Sequence, residues 1–298
     1  GGCGWGLAGS AATSPSATST RSLICDDALD VLVDSASGRS VALIGTAHIS
    51  EVSAALVRRT IRSLHPSVVM VELDAKRFGP NAPPGKIAAP SSIGSGGKGN
   101  NNQPESSEEG GGGRLDAVAG QALGFAIGGM YKKLDSVGFE SGGEMVAAVE
   151  GANSEGAALL LGDRDVDVTL RRLGGAILKT DIFAASEKLD AELEKLFPNA
   201  SFGDMGSEDP QAIRLVTEEL KNRATIRRLM GSLQSAAPAI HAALISERDS
   251  FMANKLLTAV PPQASAVAVV GMAHMDGIEK SLLEVGWQLE KTCTAAAR

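Results

Sequence analysis

The chain contains two apolar segments that each end in the pattern Gly-x-x-His, and this repeat constrains the fold more than any other feature. The first segment runs from Val41 to His48, and the second, more than two hundred residues later, from Ala266 to His274. Continuous apolar runs rich in β-branched residues are typical of strands covered on both faces, as in a parallel α/β sheet. In such sheets the carboxyl ends of the strands form the crevice where ligands bind. The two histidines are therefore predicted to reach one edge of a single sheet.

Two further apolar segments, Ser67–Val71 and Ala157–Leu161, are also predicted to be strands that end in charged residues. Glu72 follows the first, and Asp163-Arg164-Asp165 follows the second. A helix predicted from about Ser50 to Leu64 connects the Val41 strand to the Ser67 strand, which gives a unit the size of a right-handed βαβ crossover. The predicted fold class is α/β, with a mixed sheet that contains parallel βαβ units, the paired Gly-x-x-His strand ends and an inserted helical region.

The composition along the chain predicts a single domain over residues 25–290. Residues 1–24 are rich in Gly, Ala, Ser and Thr and are expected to be a disordered leader, and residues 291–298 a short tail. Residues 79–113 are dominated by Gly, Pro, Ser and Asn, which bury too little apolar surface to offset the entropy of ordering, so a flexible insertion is predicted there. No run of eighteen apolar residues occurs, so no membrane-spanning helix is expected.

Charge and cysteine content exclude several classes of function. The net charge of −7 and the aromatic content of 3% argue against a nucleic-acid binder, which needs basic surface and stacking side chains. The three cysteines lie near the termini without a Cys-x-x-Cys pair. This distribution favours an intracellular, reducing environment and argues against a thiolate metal site.

The strand-end residues that could carry chemistry are two imidazoles and one carboxylate: His48, His274 and Glu72. Such a set is a common ligand shell for a catalytic divalent metal that keeps one position open for water. A metal-bound water can ionise near neutral pH and attack an amide or ester carbonyl, which indicates a hydrolase.

Three other charged residues complete the predicted site. Asp163 is predicted to hold or deprotonate the attacking water. Arg164 and Arg248 are predicted to bind a substrate carboxylate or the developing oxyanion.

Each of these features also has a purely structural interpretation. Gly45 and Gly271 would then only allow close backbone packing at the sheet edge, and Glu72 and Asp74 would only cap the segment after their strand. The Glu247-Arg-Asp249 segment would be a solvated helix face. Asp276 and Glu279 are predicted to form a capping box for the closing helix. A third hypothesis, anion binding at the helix N-termini after His48 and His274, needs no metal.

Taken together, these motifs resemble those of the TraB/PrgY family, which belongs to a wider superfamily with the TIKI, GumN and erythromycin-esterase-like proteins. The matching stretches occur in the family's order and span most of the chain from about Val41 to Trp287. They are Gly45-Thr-Ala-His48, Val71-Glu-Leu-Asp74, Leu161-Gly-Asp-Arg-Asp165, Val168-Thr-Leu-Arg171, Glu247-Arg-Asp249, Phe251-Met-Ala253 and Gly271-Met-Ala-His274.

The resemblance implies both an activity and a setting. TIKI-like members are metal-dependent proteases that use manganese or cobalt, with the paired Gly-x-x-His motifs at the active centre, which supports His48, His274 and Glu72 as ligands of Mn²⁺ or Co²⁺ and a peptide or protein as substrate. Eukaryotic relatives are linked to the mitochondrial outer membrane and to organelle contacts. The alternative function is therefore a non-catalytic binding or organelle-tethering module that retains the fold.

Overall fold

The structure, a computed structural model, describes residues 27–46, 51–78, 143–196 and 222–290. The leader predicted at 1–24, the insertion at 79–113 and the tail at 291–298 lie outside these ranges. So do His48 and the predicted helix start at Ser50.

The strands of the described residues form one six-stranded mixed sheet with the order β4-β3-β5-β2-β1-β6. Strands β4, β3, β5 and β2 run parallel to their neighbours, whereas β1 is antiparallel to both β2 and β6. This arrangement confirms the predicted fold class. The strands are β1 (Leu29–Asp34), β2 (Arg39–Thr46), β3 (Val68–Val71), β4 (Ala158–Leu161), β5 (Ser265–Gly271) and β6 (Gln288–Glu290).

The helices of the described residues connect the strands or cover the sheet. A single π-helical turn, Ala242–Ser246, joins two of them without a break in the chain direction. The helices are α1 (Glu51–Leu64), α2 (Ala75–Phe78), α3 (Gly143–Glu155), α4 (Val166–Leu178), α5 (Ile182–Leu196), α6 (Arg223–Ala236), α7 (Pro238–His241), α8 (Glu247–Ala259) and α9 (Met272–Glu284).

The sheet is buried on both faces, as its continuous apolar strands require. One face packs against α1 and α3 through residues such as Ile44, Val57 and Val269. The opposite face packs against α6, α8 and α9, with Leu256 and Ile278 fully buried. Alternate residues of β5 therefore belong to different cores. Because the helices cover the two faces of the sheet, the carboxyl ends of the parallel strands remain available to form a site.

Helix α1 shows how the sequence sets this layering. Val57 and Ile61 are fully buried against the sheet, while Arg58, Arg59 and Arg62 on the opposite side are exposed. The helix ends where His65 takes a positive φ of 42° immediately before Pro66, whose ring disfavours helical backbone at the preceding residue. The predicted end at Leu64 is confirmed.

The chain around the second Gly-x-x-His differs from the prediction in one respect. Strand β5 ends at Gly271 and α9 begins at Met272, so His274 lies in the first turn of the helix and not on the strand. The predicted Asp276–Glu279 capping box is therefore wrong, because Gly271 occupies the N-cap position and Asp276 is already inside the helix. Both acids instead pair with Arg223 of α6.

Strand β6, which was not expected from the sequence, pairs with β1 through only three residues, too few for a visible pattern. None of the helices in the described ranges is long and apolar enough to cross a membrane.

Candidate functional site

Glu72 is buried at the carboxyl edge of the sheet, directly after β3. Its Oε2 accepts a hydrogen bond of 2.6 Å from the backbone N–H of Gly271, the N-cap residue of α9. Its Oε1 accepts from Arg248 Nη2. The predicted convergence of the β3 and β5 ends is confirmed, because one carboxylate connects them.

Arg248 links Glu72 to the end of β4. Its Nε and Nη2 donate to the two oxygens of Asp163 at 3.0 and 2.7 Å, and its Nη1 donates to the Leu244 carbonyl at 3.0 Å. The guanidinium also contacts Glu72 and is mostly buried, with 11% of the side chain exposed. Burial opposes the charged form, but the charges of Glu72 and Asp163 outweigh it and raise the pKa of Arg248. Arg248 is therefore an internal cation held by two carboxylates.

His274 lies between two carboxylates and uses both ring nitrogens. Nδ1 is 2.6 Å from Asp249 Oδ1, and Nε2 is 3.2 Å from Glu72 Oε1. The side chains of His274 and Asp249 are only 5% and 7% exposed. Burial alone would lower the pKa of His274, but the charge of Glu72 and the hydrogen bond to Asp249 outweigh burial and raise it to about 9.

The distance between His274 Nε2 and Glu72 Oε1 is that of a hydrogen bond and is also compatible with a shared metal ion. Two ligand atoms bonded at about 2.1 Å and separated by a tetrahedral angle lie roughly 3.4 Å apart, close to the 3.2 Å observed. A metal-bound histidine commonly donates its other N–H to a carboxylate, and Asp249 is placed to accept it. Among the described residues, which do not include His48, no group of three or more ligand side chains forms a metal cluster.

The charge balance of the cluster also suits a cation. Within the described residues, Arg77 and Arg248 pair with the carboxylates of Glu72, Asp74 and Asp163, while Asp249 pairs with His274. The acids of this cluster outnumber its two arginines, which makes it a favourable environment for an added positive charge, whether a proton on His274 or a metal ion.

Arg164 and Asp74 have different surroundings from the central cluster. The Arg164 side chain donates to Glu247 Oε2 at 2.7 Å, to the Ala243 carbonyl at 2.9 Å and to Thr169 Oγ1 at 3.1 Å, so it holds α4 against the π-helical turn. Asp74 accepts from the backbone N–H groups of Arg77 and Val166. The structural interpretation of Asp74 as a cap is thus confirmed, whereas Glu72 does more than cap.

The first Gly-x-x-His motif is described only up to Thr46. Gly45 sits so close to α9 that a Cβ there would lie 2.8 Å from the sulfur atoms of Met272 and Met275, which confirms close packing at this glycine. The Thr46 hydroxyl lies 3.1 Å from Glu144 Oε1, and Glu144 is fully buried in the first turn of α3. This edge of the sheet thus holds a further buried acid that sequence reasoning did not single out.

The main residue that the sequence analysis missed is Asp249. The interpretation of Glu247-Arg-Asp249 as a solvated face is wrong, because Arg248 and Asp249 point into the cluster, and only Glu247 is left at its rim with Arg164 and Arg172. The π-helical turn immediately before this segment is a feature often found at functional sites. Neighbouring residues of opposite charge in a helix of mixed polarity do not indicate burial. The burial of Arg248 and Asp249 is therefore visible only in the fold.

The fold and the site define a three-layer α/β protein with a buried histidine, acid and arginine cluster at the carboxyl edge of its parallel strands. The TraB/PrgY/gumN family model matches residues 32–291, and the chain belongs to that family. It is 31% identical over 245 residues to an uncharacterized protein of Methanocaldococcus jannaschii, a match that covers 80% of this chain and 52% of the relative. The chain thus spans about half the length of the curated relative it matches.

Proposed function

We propose that the protein is a metal-dependent hydrolase of peptide or protein substrates, with His48, Glu72 and His274 as ligands of Mn²⁺ or Co²⁺. The observation that carries this proposal is the pair of contacts at His274. Its Nε2 lies 3.2 Å from Glu72 Oε1, while its Nδ1 lies 2.6 Å from Asp249 Oδ1. The metal dependence of the TIKI-like relatives supports the same assignment.

A bound divalent ion would supply a water molecule that ionises near neutral pH. Side chains of the protein would orient the metal ligand and accept the proton of the attacking water. Asp249 holds the His274 ring in one orientation, because the Nδ1 proton of His274 points at Oδ1 of Asp249. Asp163, whose carboxylate faces the same cluster, is the candidate to hold the attacking water and accept its proton.

Arg248 is the better placed of the two predicted anchoring arginines. Its guanidinium already lies between Glu72 and Asp163, where a substrate carboxylate or a developing oxyanion would meet a fixed positive charge. Arg164 is held outside the cluster by Glu247 and the Ala243 carbonyl. Either arginine would exchange a present partner for substrate, but only Arg248 lies beside Glu72 and His274. We therefore assign substrate anchoring first to Arg248.

The alternative function is a non-catalytic binding or tethering module, acting at an organelle surface such as that of the mitochondrion. One observation favours it: both nitrogens of His274 and both oxygens of Glu72 already have partners within the protein. A polar network satisfied in this way can stabilise the fold without a metal. Anion binding at the α9 N-terminus is less favoured, because Glu72 itself takes the Gly271 N–H.

Peptide turnover separates the hydrolase from the tethering module. The protein is incubated with a mixture of unblocked and blocked peptides in the presence of Mn²⁺ or Co²⁺, and the products are identified by mass spectrometry. We expect cleavage by the wild type, no cleavage by His274→Ala, and wild-type cleavage by His65→Ala, a control that removes an exposed histidine remote in the fold. Absence of cleavage by the wild type with either metal, or equal cleavage by His274→Ala, contradicts the hydrolase.

A further inference from the structure

A histidine and a serine that the proposed reaction does not use face each other at the π-helical turn. His241 Nδ1 lies 3.1 Å from Ser246 Oγ, and the two residues are five apart in the chain. In a regular α-helix, residues at this spacing point about 140° apart and do not meet. The π-helical turn Ala242–Ser246, in which the Glu247 N–H donates to the Ala242 carbonyl, brings them to the same side. The contact therefore depends on the irregular turn.

Both side chains line a groove of about 440 Å³ between α6, the π-helical turn with α8, and α9. Apolar side chains, among them Met230, Ile245 and Met272, line the same groove. Its volume lies within the range of pockets for small ligands. A hydrogen bond that only braced the turn has no need of an open, partly apolar space beside it, so the groove points to a ligand that reaches the pair.

The charged side chains of the groove already have partners. Asp276 pairs with Arg227, and Lys280 lies 3.9 Å from Glu284. The carboxylate of Asp249 is paired with an imidazole of the buried cluster. Because a charged ligand would meet no unpaired opposite charge among these residues, the groove suits a neutral molecule with an apolar part.

His241 is in the state that accepts a proton. The residue is buried, and burial lowers its pKa; the charge of Asp249 opposes this effect only in part, while that of His274 adds to it. The imidazole is therefore neutral at neutral pH. With the ring proton on Nε2, Nδ1 accepts a hydrogen bond from the Ser246 hydroxyl. A serine hydroxyl that donates to a neutral imidazole is the arrangement of a nucleophile with its general base.

We propose that Ser246 and His241 form a catalytic site, separate from the predicted metal centre, that hydrolyses small neutral esters through an acyl-serine. Ser246 Oγ forms a bond to the ester carbonyl carbon while its proton passes to His241 Nδ1. The bond to the alcohol oxygen then breaks, and the alcohol leaves with that proton. Water next gives a proton to the same nitrogen and attacks the acyl group. The acid is released, and Ser246 takes the proton back.

The surroundings of His241 favour esters over peptides as substrates. Within the described residues no carboxylate is hydrogen-bonded to this ring. In Ser-His-Asp sites such a carboxylate fixes the tautomer and stabilises the imidazolium, and its replacement by an amide lowers kcat by about 10⁴. A pair without it suits an alcohol, which leaves more readily than an amine. The proposal thus does not rest on the peptide hydrolase proposed above.

The test uses 4-nitrophenyl butyrate as substrate and a fluorophosphonate as covalent probe, with a chelator present so that no divalent metal takes part. We expect the wild type to release 4-nitrophenol, and mass spectrometry to find the phosphonyl group on Ser246. Ser246→Ala and His241→Gln should each lower kcat/KM at least about 100-fold, since general base catalysis contributes about 10²–10⁴-fold. Ser232→Ala is the control, because that hydroxyl donates to the Arg228 carbonyl outside the groove, and it should match the wild type.

A further variant, Gly231→Leu, tests the groove itself. A Cβ at Gly231, which lines the groove, would meet nothing within 4 Å, so a leucine can fill the space while the Ser246–His241 contact stays in place. We expect kcat/KM for the butyrate ester to fall at least about tenfold. If His241→Gln does not fold, Ser246→Ala and the site of labelling decide.

Three results overturn the proposal: hydrolysis by the wild type no faster than by Ser246→Ala, labelling at a residue other than Ser246, or wild-type hydrolysis by Gly231→Leu. Because the chelator removes divalent metal from the assay, none of these results bears on the peptide hydrolase. Conversely, a protein that cleaves no peptide with Mn²⁺ or Co²⁺ can still hydrolyse the ester at Ser246.

Discussion

His274 Nδ1 and Asp249 Oδ1 lie 2.6 Å apart in the buried cluster, although the two residues come from different helices and only His274 belongs to a Gly-x-x-His motif. This contact fixes the orientation of the ring and directs the other nitrogen at Glu72. His274 and Asp249 therefore act as one unit, and a substitution of either residue is expected to affect the other.

Removal of the Asp249 charge is expected to weaken metal binding without removing a ligand. Loss of a carboxylate that orients a metal-bound histidine commonly reduces metal affinity by about 10–100-fold. Calorimetric titration of Asp249→Asn with Mn²⁺ should show a reduction of this size. Asp165→Asn, which changes an exposed cap of α4, is the matched control and should bind as the wild type does. Equal affinities of the two variants would argue against the orienting role.

The raised pKa of His274 predicts a specific pH dependence of stability. Burial opposes protonation, but Glu72 and Asp249 raise the pKa to about 9, so the folded protein holds this proton more tightly than the unfolded chain. The resulting stabilisation is fully present below pH about 6.5 and is lost as the pH rises through about 9, a change on the order of 3 kcal/mol. Urea unfolding with a chelator present, at several pH values across this window, measures it. A His274→Gln variant should lose this part of the pH dependence, and a slope equal to that of the wild type would contradict the assignment.

Truncation of Arg248 is expected to be strongly destabilising. Arg248→Ala would leave Glu72 and Asp163 buried without their shared cation, which costs about 3–5 kcal/mol in comparable cases. Arg172→Ala is the control, because its pair with Glu247 is exposed and should contribute no more than about 1 kcal/mol. Urea denaturation compares both variants with the wild type. A loss of less than about 1 kcal/mol in Arg248→Ala would show that the buried ion pairs stabilise little.

Two glycine-to-alanine variants should change stability in opposite directions. Gly277→Ala places a methyl group 1.9 Å from Asp249 Oδ2, so either α9 or the carboxylate must move, at a cost of about 1–3 kcal/mol. Gly231→Ala meets no neighbour and replaces a glycine inside a helix, which should stabilise by about 0.5–1 kcal/mol. Thermal unfolding of both variants is the measurement. Stabilisation by both substitutions would mean that the Asp249 carboxylate yields without strain.

The sequence predicted the parallel part of the sheet well, and the reason is physical. Strands β2, β3, β4 and β5 are covered on both faces, and strands of this kind read as short continuous apolar runs rich in β-branched residues. The polar residue at each strand end then predicted the edge at which Glu72 and Asp163 lie. The short β6 escaped notice because three residues with a half-buried pattern carry no periodic signal.

The candidate site was less accessible to sequence reasoning because its support comes from helices. His274 belongs to α9 and not to β5, since Gly271 already takes the cap position and the helix begins at Met272, before the histidine is reached. Asp249 resembles any acid of a surface helix until the fold packs α8 against α9. Burial of that face depends on contacts between distant segments, which local charge patterns do not encode.

The number of metal ions bound per chain is the decisive test of a metal site at His274. The wild type, His48→Ala and His274→Ala are purified with Mn²⁺ present and freed of loosely bound metal, and each is measured by element analysis. We expect about one ion per chain in the wild type and a large loss in both variants, because each removes one of the proposed ligands. A wild type without bound metal, or metal content unchanged in both histidine variants, would contradict it.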